Sequence, residues 1–157
     1  MTTYVFDTSA FRVMRHYYPA TFGTLWENLD DLVKAGGIQS VREVWNELRD
    51  FNDDAFIVDR ADQRKAIFAV PSADEQLAVQ AIFAVPHFQA LISQKAILKG
   101  KAVADPFVGA AAQVKKATVI TQEGLKPNAA KIPNVCAHFG VPCEDLEWFM
   151  AQQGWSF

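Results

Sequence analysis

Four acidic residues stand where predicted elements of this chain begin or end. Asp7 follows a short apolar, β-prone run, and Glu47 lies on a predicted helix. Asp105 opens a later helix, and Glu123 follows the best strand pattern after the first. Hard divalent cations prefer oxygen ligands. If these four residues meet, we expect them to hold Mg²⁺ or Mn²⁺ for phosphodiester chemistry.

Gathering carboxylates in one place is unfavourable unless a cation is present. Two carboxylates ~4 Å apart repel by about 4 kcal/mol at an effective dielectric constant of ~20. An empty site would therefore raise the pKa of one or more of its carboxyl groups. A bound metal removes this repulsion, and it also lowers the pKa of a water molecule and orients it for attack.

Each acid taken alone also has a structural explanation. Asp7 and Asp105 are good helix N-caps, and Pro106 follows at a predicted first helical position. Glu123 is an ordinary loop acid beside a glycine. Glu47 belongs to an acidic stripe that is typical of a solvated helix face, made of Glu43, Glu47, Asp50 and Asp54. The functional interpretation depends on the common placement of all four.

Short strands alternating with helices are predicted along most of the chain. The strands cover residues 4–6, 38–41, 117–121 and 141–143, the last as an edge strand. The clearest helices cover residues 9–16, 22–33, 43–51, 133–139 and 144–152. This alternation predicts an α/β protein, a three-layer α/β/α fold with a short, mostly parallel central sheet, formed by a single domain over residues 1–157.

The middle of the chain is predicted to be helical. Residues 53–65 carry a weak helical pattern, and the Ser72–Glu75 capping box predicts a helix to about residue 85. A further helical piece is expected from Pro86 to Lys99. The hexapeptide Ala-Ile-Phe-Ala-Val-Pro occurs twice, at 66–71 and 81–86, which we interpret as a coincidence.

Composition indicates an ordinary globular protein. Half of the 157 residues are hydrophobic, 21% are charged, and the net charge is −3. Nucleic-acid binding would therefore rest on a local basic patch or on a metal. We expect a cytoplasmic protein, without a membrane span or a signal peptide. Cys136 and Cys143 lack metal-site spacing and are expected to be free thiols rather than a disulfide.

Several stretches resemble motifs of PIN-domain proteins, the nuclease fold of many toxin–antitoxin toxins. The first is similar to the opening strand with its Asp-x-Ser ending, and the second resembles the Val-x-x-Glu-Leu motif of the second acid. Two more look like the third and fourth acidic motifs, and the last resembles the tail of a PIN-like group. The stretches are Tyr4–Ala10, Ser40–Leu48, 104–108, 118–123, and 131–136 with 139–141.

The resemblance implies a metal-dependent endoribonuclease, the toxin of a toxin–antitoxin pair, with a cognate antitoxin as its partner. It implies Asp7, Glu47, Asp105 and Glu123 as the acidic quartet, with Ser9 and Thr121 as accessory hydroxyls. The family more commonly has Asp at the fourth position, and Glu123 is one methylene longer. Either Glu43 or Glu47 could supply the second acid; the motif match favours Glu47.

An alternative is a non-catalytic PIN-like interaction module that binds protein or RNA. Competing catalytic systems are disfavoured because the histidines are isolated and Ser9 replaces the second Asp of a phosphatase Asp-x-Asp pair. Candidate RNA contacts are Arg12, Arg15, Arg42, Arg49 and Lys126. Aromatic residues expected at the surface permit a homodimer; they are Tyr17, Tyr18, Trp148 and Trp155.

Overall fold

A five-stranded parallel sheet forms the centre of the molecule. The computed structural model describes residues 2–50, 55–92 and 103–157. Its strands are β1 (Tyr4–Phe6), β2 (Ile38–Val41), β3 (Phe68–Ala69), β4 (Thr118–Ile120) and β5 (Cys143–Glu144). Their order is β3-β2-β1-β4-β5, and every pairing is parallel. The predicted α/β class is confirmed.

Helices follow most strands and return the chain to the opposite edge of the sheet. Short 3₁₀ turns cover Met14–His16, Lys65–Ile67 and Pro86–Leu91. The α-helices of the described residues are α1 (Thr8–Val13), α2 (Gly23–Lys34), α3 (Arg42–Asp50), α4 (Ala55–Gln63), α5 (Ala73–Phe83), α6 (Asp105–Lys115), α7 (Ile132–Phe139) and α8 (Leu146–Gln152).

The central strand β1 is buried on both faces. Tyr4 and Phe6 point to the same face because side chains alternate along a strand. There they meet the ring of Phe149 edge to face, at centroid distances of 4.9 and 5.0 Å, and Phe6 also contacts Phe11 at 5.5 Å. Right-handed crossovers place α5, α6 and α7 on the opposite face. Helices therefore cover both faces, giving the three-layer α/β/α arrangement.

Small residues allow α6 to pack closely against its neighbours. Ala110, Ala111 and Ala112 are buried, and a Cβ built on Gly109 would lie 3.1 Å from Cγ1 of Val135 in α7. This packing joins the sheet to a second apolar cluster beneath α5 and α7, formed by Ile82, Phe88, Leu91, Ala110 and Val135. The position of Asp105, at the start of α6, is fixed by this helix.

The two copies of the repeated hexapeptide have different structures. The first contains β3, a strand that the sequence pattern did not predict, and β3 pairs with Ser40 and Val41 of β2. The second lies at the end of α5 and enters the following 3₁₀ turn. The helix predicted to reach Lys99 is a 3₁₀ turn that ends at Leu91, and residues 93–99 lie outside the described residues.

The aromatic residues expected at the surface mostly pack within the molecule. Only Tyr18 of the four is largely exposed, at 62%. Trp148 contacts Tyr4, Trp155 contacts Phe149, and Tyr17 is half-buried. Three of the four aromatic residues are therefore less exposed than expected. No helix in the described ranges is long and apolar enough to span a bilayer.

The capping box at the start of α5 gives a stability prediction. The Ser72 hydroxyl accepts a bond from the Glu75 backbone N–H (3.1 Å), and the Glu75 carboxylate accepts one from Ser72 N–H (3.3 Å). We expect Ser72→Ala to lower the free energy of unfolding by ~1 kcal/mol, measured by urea denaturation. Ser72→Asp retains a capping oxygen and should lose less; equal losses in both variants would contradict this role.

Candidate active site

The candidate site lies where the strand order reverses. From β1 the chain builds outward through β2 and β3, then crosses to β4 on the other side of β1. In open α/β sheets, ligands bind beyond the carboxyl ends of the strands at such a switch point. Asp7 follows β1 and Thr121 follows β4, and the Asp7 backbone N–H donates to the Ile120 carbonyl at 3.1 Å. These two side chains therefore face each other across the crevice.

Asp7 is buried and held by several hydrogen bonds. Thr121 donates to its Oδ2 at 2.6 Å, and Ser9 donates to both carboxylate oxygens at 2.8 and 2.9 Å. The Ala10 backbone N–H donates to Oδ1 at 2.9 Å, so Asp7 is also the N-cap of α1. Burial raises its pKa to about 6 against the opposing effect of these bonds.

Glu47 turns from α3 toward the starts of α1 and α6. Its Oε1 accepts a bond from the Thr8 hydroxyl at 2.6 Å, and its Oε2 accepts one from the Ala104 backbone N–H at 3.0 Å. Burial is the main cause that raises its pKa, and the charge of Glu123 adds to the rise. Thr8 was not among the predicted site residues, although its position directly after Asp7 was a signal.

Glu43 has a different environment from Glu47. The Arg42 guanidinium donates to its Oε1 at 2.7 Å, and its Oε2 is buried without a hydrogen-bond partner among the described residues. The acidic stripe is therefore not a solvated face at this position. The charge of Glu47 contributes to the raised pKa of Asp105.

The prediction that Asp105 caps its helix was wrong. Ala104 is the N-cap residue of α6, Asp105 is the first helical residue, and Pro106 is the second. No side-chain cap bond forms at Ala104. Because the boundary lies one residue earlier, the Asp105 carboxylate does not cap its own helix. The pKa of Asp105 is raised to about 7. Burial is the largest cause, and the negative charges of Glu123, Glu47 and Asp7 add to the rise.

Glu123 reaches the start of a neighbouring helix. Its Oε2 accepts a bond at 3.3 Å from the backbone N–H of Ile132, the first residue of α7. A carboxylate at a helix N-terminus is favoured by the helix dipole. The Glu123 backbone N–H donates to Thr121 Oγ1 at 3.1 Å, which joins this loop to the Asp7 network. Glu123 therefore connects the loop after β4 to the start of α7.

The four predicted acids share one electrostatic environment. Glu123 raises the pKa of Asp7, Glu47 and Asp105, and Asp7 and Glu47 raise that of Asp105 as well. Lys131, which was not among the predicted site residues, lowers the pKa of Asp105. The oxygen donors suit a hard cation. As the side chains stand, however, no three His, Cys, Asp or Glu residues in the described ranges form a metal-binding group.

The basic residues predicted to contact RNA differ in their surroundings. Arg42 is bound to Glu43, and the Arg49 guanidinium lies over the Trp45 ring at 4.2 Å. Lys126 is exposed. Arg12 and Arg15 line a cavity together with Ser9, whose hydroxyl donates a hydrogen bond to Asp7.

The two cysteines are free thiols, as predicted. The buried Cys136 thiol donates a hydrogen bond to Cys143, which lowers the pKa of Cys143 and raises that of Cys136.

A family model described as a domain of unknown function, DUF4411, matches residues 4–157. The chain belongs to the DUF4411 family. The match covers all five strands and the four predicted acids, so the DUF4411 domain includes the whole candidate site. A comparison with curated proteins finds no match.

Solved structures resemble this DUF4411 chain in fold. One is the crystal structure of VapBC2 from Rickettsia felis bound to a DNA fragment from their promoter: TM-score 0.51, 14% identity, covering 92% of this chain and 98% of that one. Another is PAE2754 from Pyrobaculum aerophilum: TM-score 0.47, 15% identity, covering 96% and 88%. The five-stranded parallel sheet and the likeness to the VapBC2 structure give the DUF4411 chain a PIN-like fold, as its motifs predicted.

Proposed function

We propose that this protein is a metal-dependent endoribonuclease that hydrolyses RNA phosphodiester bonds. The observation that supports this proposal is the cluster of mutually repelling carboxyl groups at the switch point of the sheet. Asp7 and Asp105 have pKa values raised to about 6 and about 7. Carboxyl groups whose pKa values are strongly perturbed by burial and by neighbouring charges, and which lie in a crevice, are candidates for a functional site.

The side chains divide into metal ligands and the groups that hold them. We propose Asp7, Glu47, Asp105 and Glu123 as the ligands of Mg²⁺ or Mn²⁺. The cation would supply Lewis-acid chemistry, activating a water and stabilising the leaving oxygen. The Ser9 and Thr121 hydroxyls orient Asp7, and their bonds favour its charged form. Thr8 and the Ala104 N–H orient Glu47 in the same way.

We further propose a toxin role with a cognate antitoxin as the partner. The sequence motifs resemble those of PIN-domain toxins, and the fold is similar to that of a chain in the VapBC2 structure. A toxin of this kind acts in the cytoplasm, where its RNA substrates are. Co-purification of the chain with the product of an adjacent gene, followed by loss of RNA cleavage in the complex, is the corresponding test.

The activity itself is tested with the wild-type chain and a labelled single-stranded RNA. We expect cleavage with Mn²⁺ or Mg²⁺ and none with EDTA, because the carboxylates alone provide no electrophile. Calorimetry should detect Mn²⁺ binding to the same preparation. A folded protein that neither binds Mn²⁺ nor cleaves RNA would instead support the non-catalytic module, which the lack of a ready-made ligand group in the described residues favours.

A further inference from the structure

A cavity of about 240 Å³ adjoins the candidate site on the side of α1. Its lining consists of Ser9, Arg12, Val13, Arg15 and His16. Residues three and four apart in a helix lie on one face, which explains why Ser9, Arg12, Val13 and His16 meet here. We call this feature the arginine cavity. It is formed by α1 and the 3₁₀ turn that follows, so one continuous segment carries both its basic groups and Asp7.

Ser9 joins the arginine cavity to the acidic cluster. Its hydroxyl donates to Asp7, lies 3.2 Å from Thr121 Oγ1, and accepts a bond from the Gln122 backbone N–H at 2.9 Å. The same side chain lines the arginine cavity. The Ser9 side chain therefore lies between the arginine cavity and Asp7.

The size and chemistry of the cavity suit a phosphate group. Small-molecule pockets commonly have volumes of about 300–1,000 Å³, so this cavity is small for a whole nucleotide. It has room for a phosphate with bridging waters, since each water takes about 30 Å³. Guanidinium groups bind phosphate oxygens in a bidentate manner. Arg12 and Arg15 both line this cavity.

A polyanionic substrate such as RNA needs a basic binding site on this protein. The chain has a net charge of −3, and the proposed catalytic residues are themselves acidic. We propose that the arginine cavity binds the backbone phosphate next to the one being hydrolysed in a single-stranded RNA, which rests on the proposed function. Arg12 and Arg15 hold this phosphate, and the adjoining scissile phosphate then lies over Asp7. The interaction positions the strand without reading its sequence.

The test measures RNA binding without cleavage. A fluorescein-labelled single-stranded RNA is titrated with the full chain in EDTA, and anisotropy reports the affinity at several salt concentrations. We expect Arg12→Ala/Arg15→Ala to weaken binding at least ~10-fold and to reduce the salt slope by about 1.4, that is ~0.7 for each arginine charge removed from the RNA backbone. Arg12→Gln/Arg15→Gln serves as a second variant should the alanine pair fail to fold.

A matched control removes two charges from the opposite edge of the sheet. Lys34 ends α2, and Lys116 follows α6 in a left-handed conformation (φ 53°) that asparagine tolerates. Lys34→Ala/Lys116→Asn should bind RNA within ~2-fold of the wild type.

Three results would overturn the assignment of the arginine cavity as a phosphate site. They are equal weakening of RNA binding in the control and the arginine variants, an unchanged affinity in the arginine variants, and no RNA binding by the wild type. Cleavage is scored separately with Mn²⁺. An active enzyme with an unchanged affinity in the arginine variants refutes only the cavity. Arginine-dependent binding without cleavage refutes only the nuclease proposal.

Discussion

Replacing either Asp7 or Asp105 by asparagine should lower metal-dependent RNA cleavage by at least ~10²–10³-fold, the usual loss when one preorganised electrostatic group is removed from an active site. Asp7 is buried and Asp105 is partly buried, and their pKa values are raised to about 6 and about 7. Asparagine keeps the shape of the side chain and removes the charge that would bind Mg²⁺ or Mn²⁺. Initial rates of cleavage of a labelled RNA, at saturating Mn²⁺, measure the effect.

The folded structure should survive these two substitutions. In Asp7→Asn the amide oxygen can still accept hydrogen bonds, and each substitution removes a charge whose burial is unfavourable. Asp31→Asn is the matched control, because Asp31 is an exposed residue of α2. It should retain full activity. Full metal-dependent activity in both Asp7→Asn and Asp105→Asn would reject the proposed site, whereas equal losses in all three variants would point to a general effect of charge.

Much of the fold could be predicted because its main strands are apolar and their ends are marked. Residues 4–6 and 118–120 are buried in β1 and β4, and polar residues with capping or turn chemistry follow each of these strands. The parallel arrangement then follows from the helices between the strands. The same logic placed Asp7 and Thr121 at one edge, which is where the structure has them.

The strand β3 could not be predicted from its own residues. It is only two residues long, Phe68–Ala69, and its hexapeptide also occurs where the chain is helical. The capping box of Ser72 and Glu75 starts α5 after the first copy, so that copy can pair with β2. Pairing with a distant strand therefore decides whether the hexapeptide forms a strand or a helix, and a local sequence pattern does not contain that information.

Side-chain direction was the other part that the sequence left open. Asp105 was expected to cap α6, but a boundary shift of one residue makes it the first helical residue. Glu43 and Glu47 share a helix face by spacing, and only the packing of α1 and α6 places Thr8 and the Ala104 N–H around Glu47. Positions in the sequence therefore identified the acids, while their partners depended on distant elements.

The metal-free protein should become more stable as the pH is lowered from 8 to 5. Asp7 and Asp105 ionise with pKa values of about 6 and about 7 in the folded chain, against 3.8 for the ordinary side chain. Between pH 4 and 7 the folded state therefore binds more protons than the unfolded state, and stability falls as the pH rises. Below pH 4 both groups are protonated in the folded and the unfolded state, and their contribution to the free energy of unfolding is fully present. Above pH 7 this contribution is lost.

Urea denaturation in EDTA at pH 5 and pH 8 measures this dependence. One pKa unit corresponds to about 1.4 kcal/mol, so the Asp7 shift alone gives about 3 kcal/mol over the whole window. Because the two carboxyl groups repel each other, their contributions are not additive, and we expect a difference of roughly 2–4 kcal/mol between the two pH values. The double variant Asp7→Asn/Asp105→Asn should show most of this difference removed.

The same measurement connects stability to metal binding. A cation that binds the ionised carboxylates stabilises the folded state at pH 8, where repulsion is greatest, and has less effect at pH 5, where protons compete for the same oxygens. Saturating Mn²⁺ should therefore reduce the difference in the free energy of unfolding between pH 5 and pH 8 in the wild type. It should leave the stability of the double variant unchanged. Two results would contradict this explanation. One is a wild type that loses stability on acidification in EDTA, and the other is a wild type that gains as much stability from Mn²⁺ at pH 5 as at pH 8. Either would show that the metal does not act by relieving repulsion among these carboxylates.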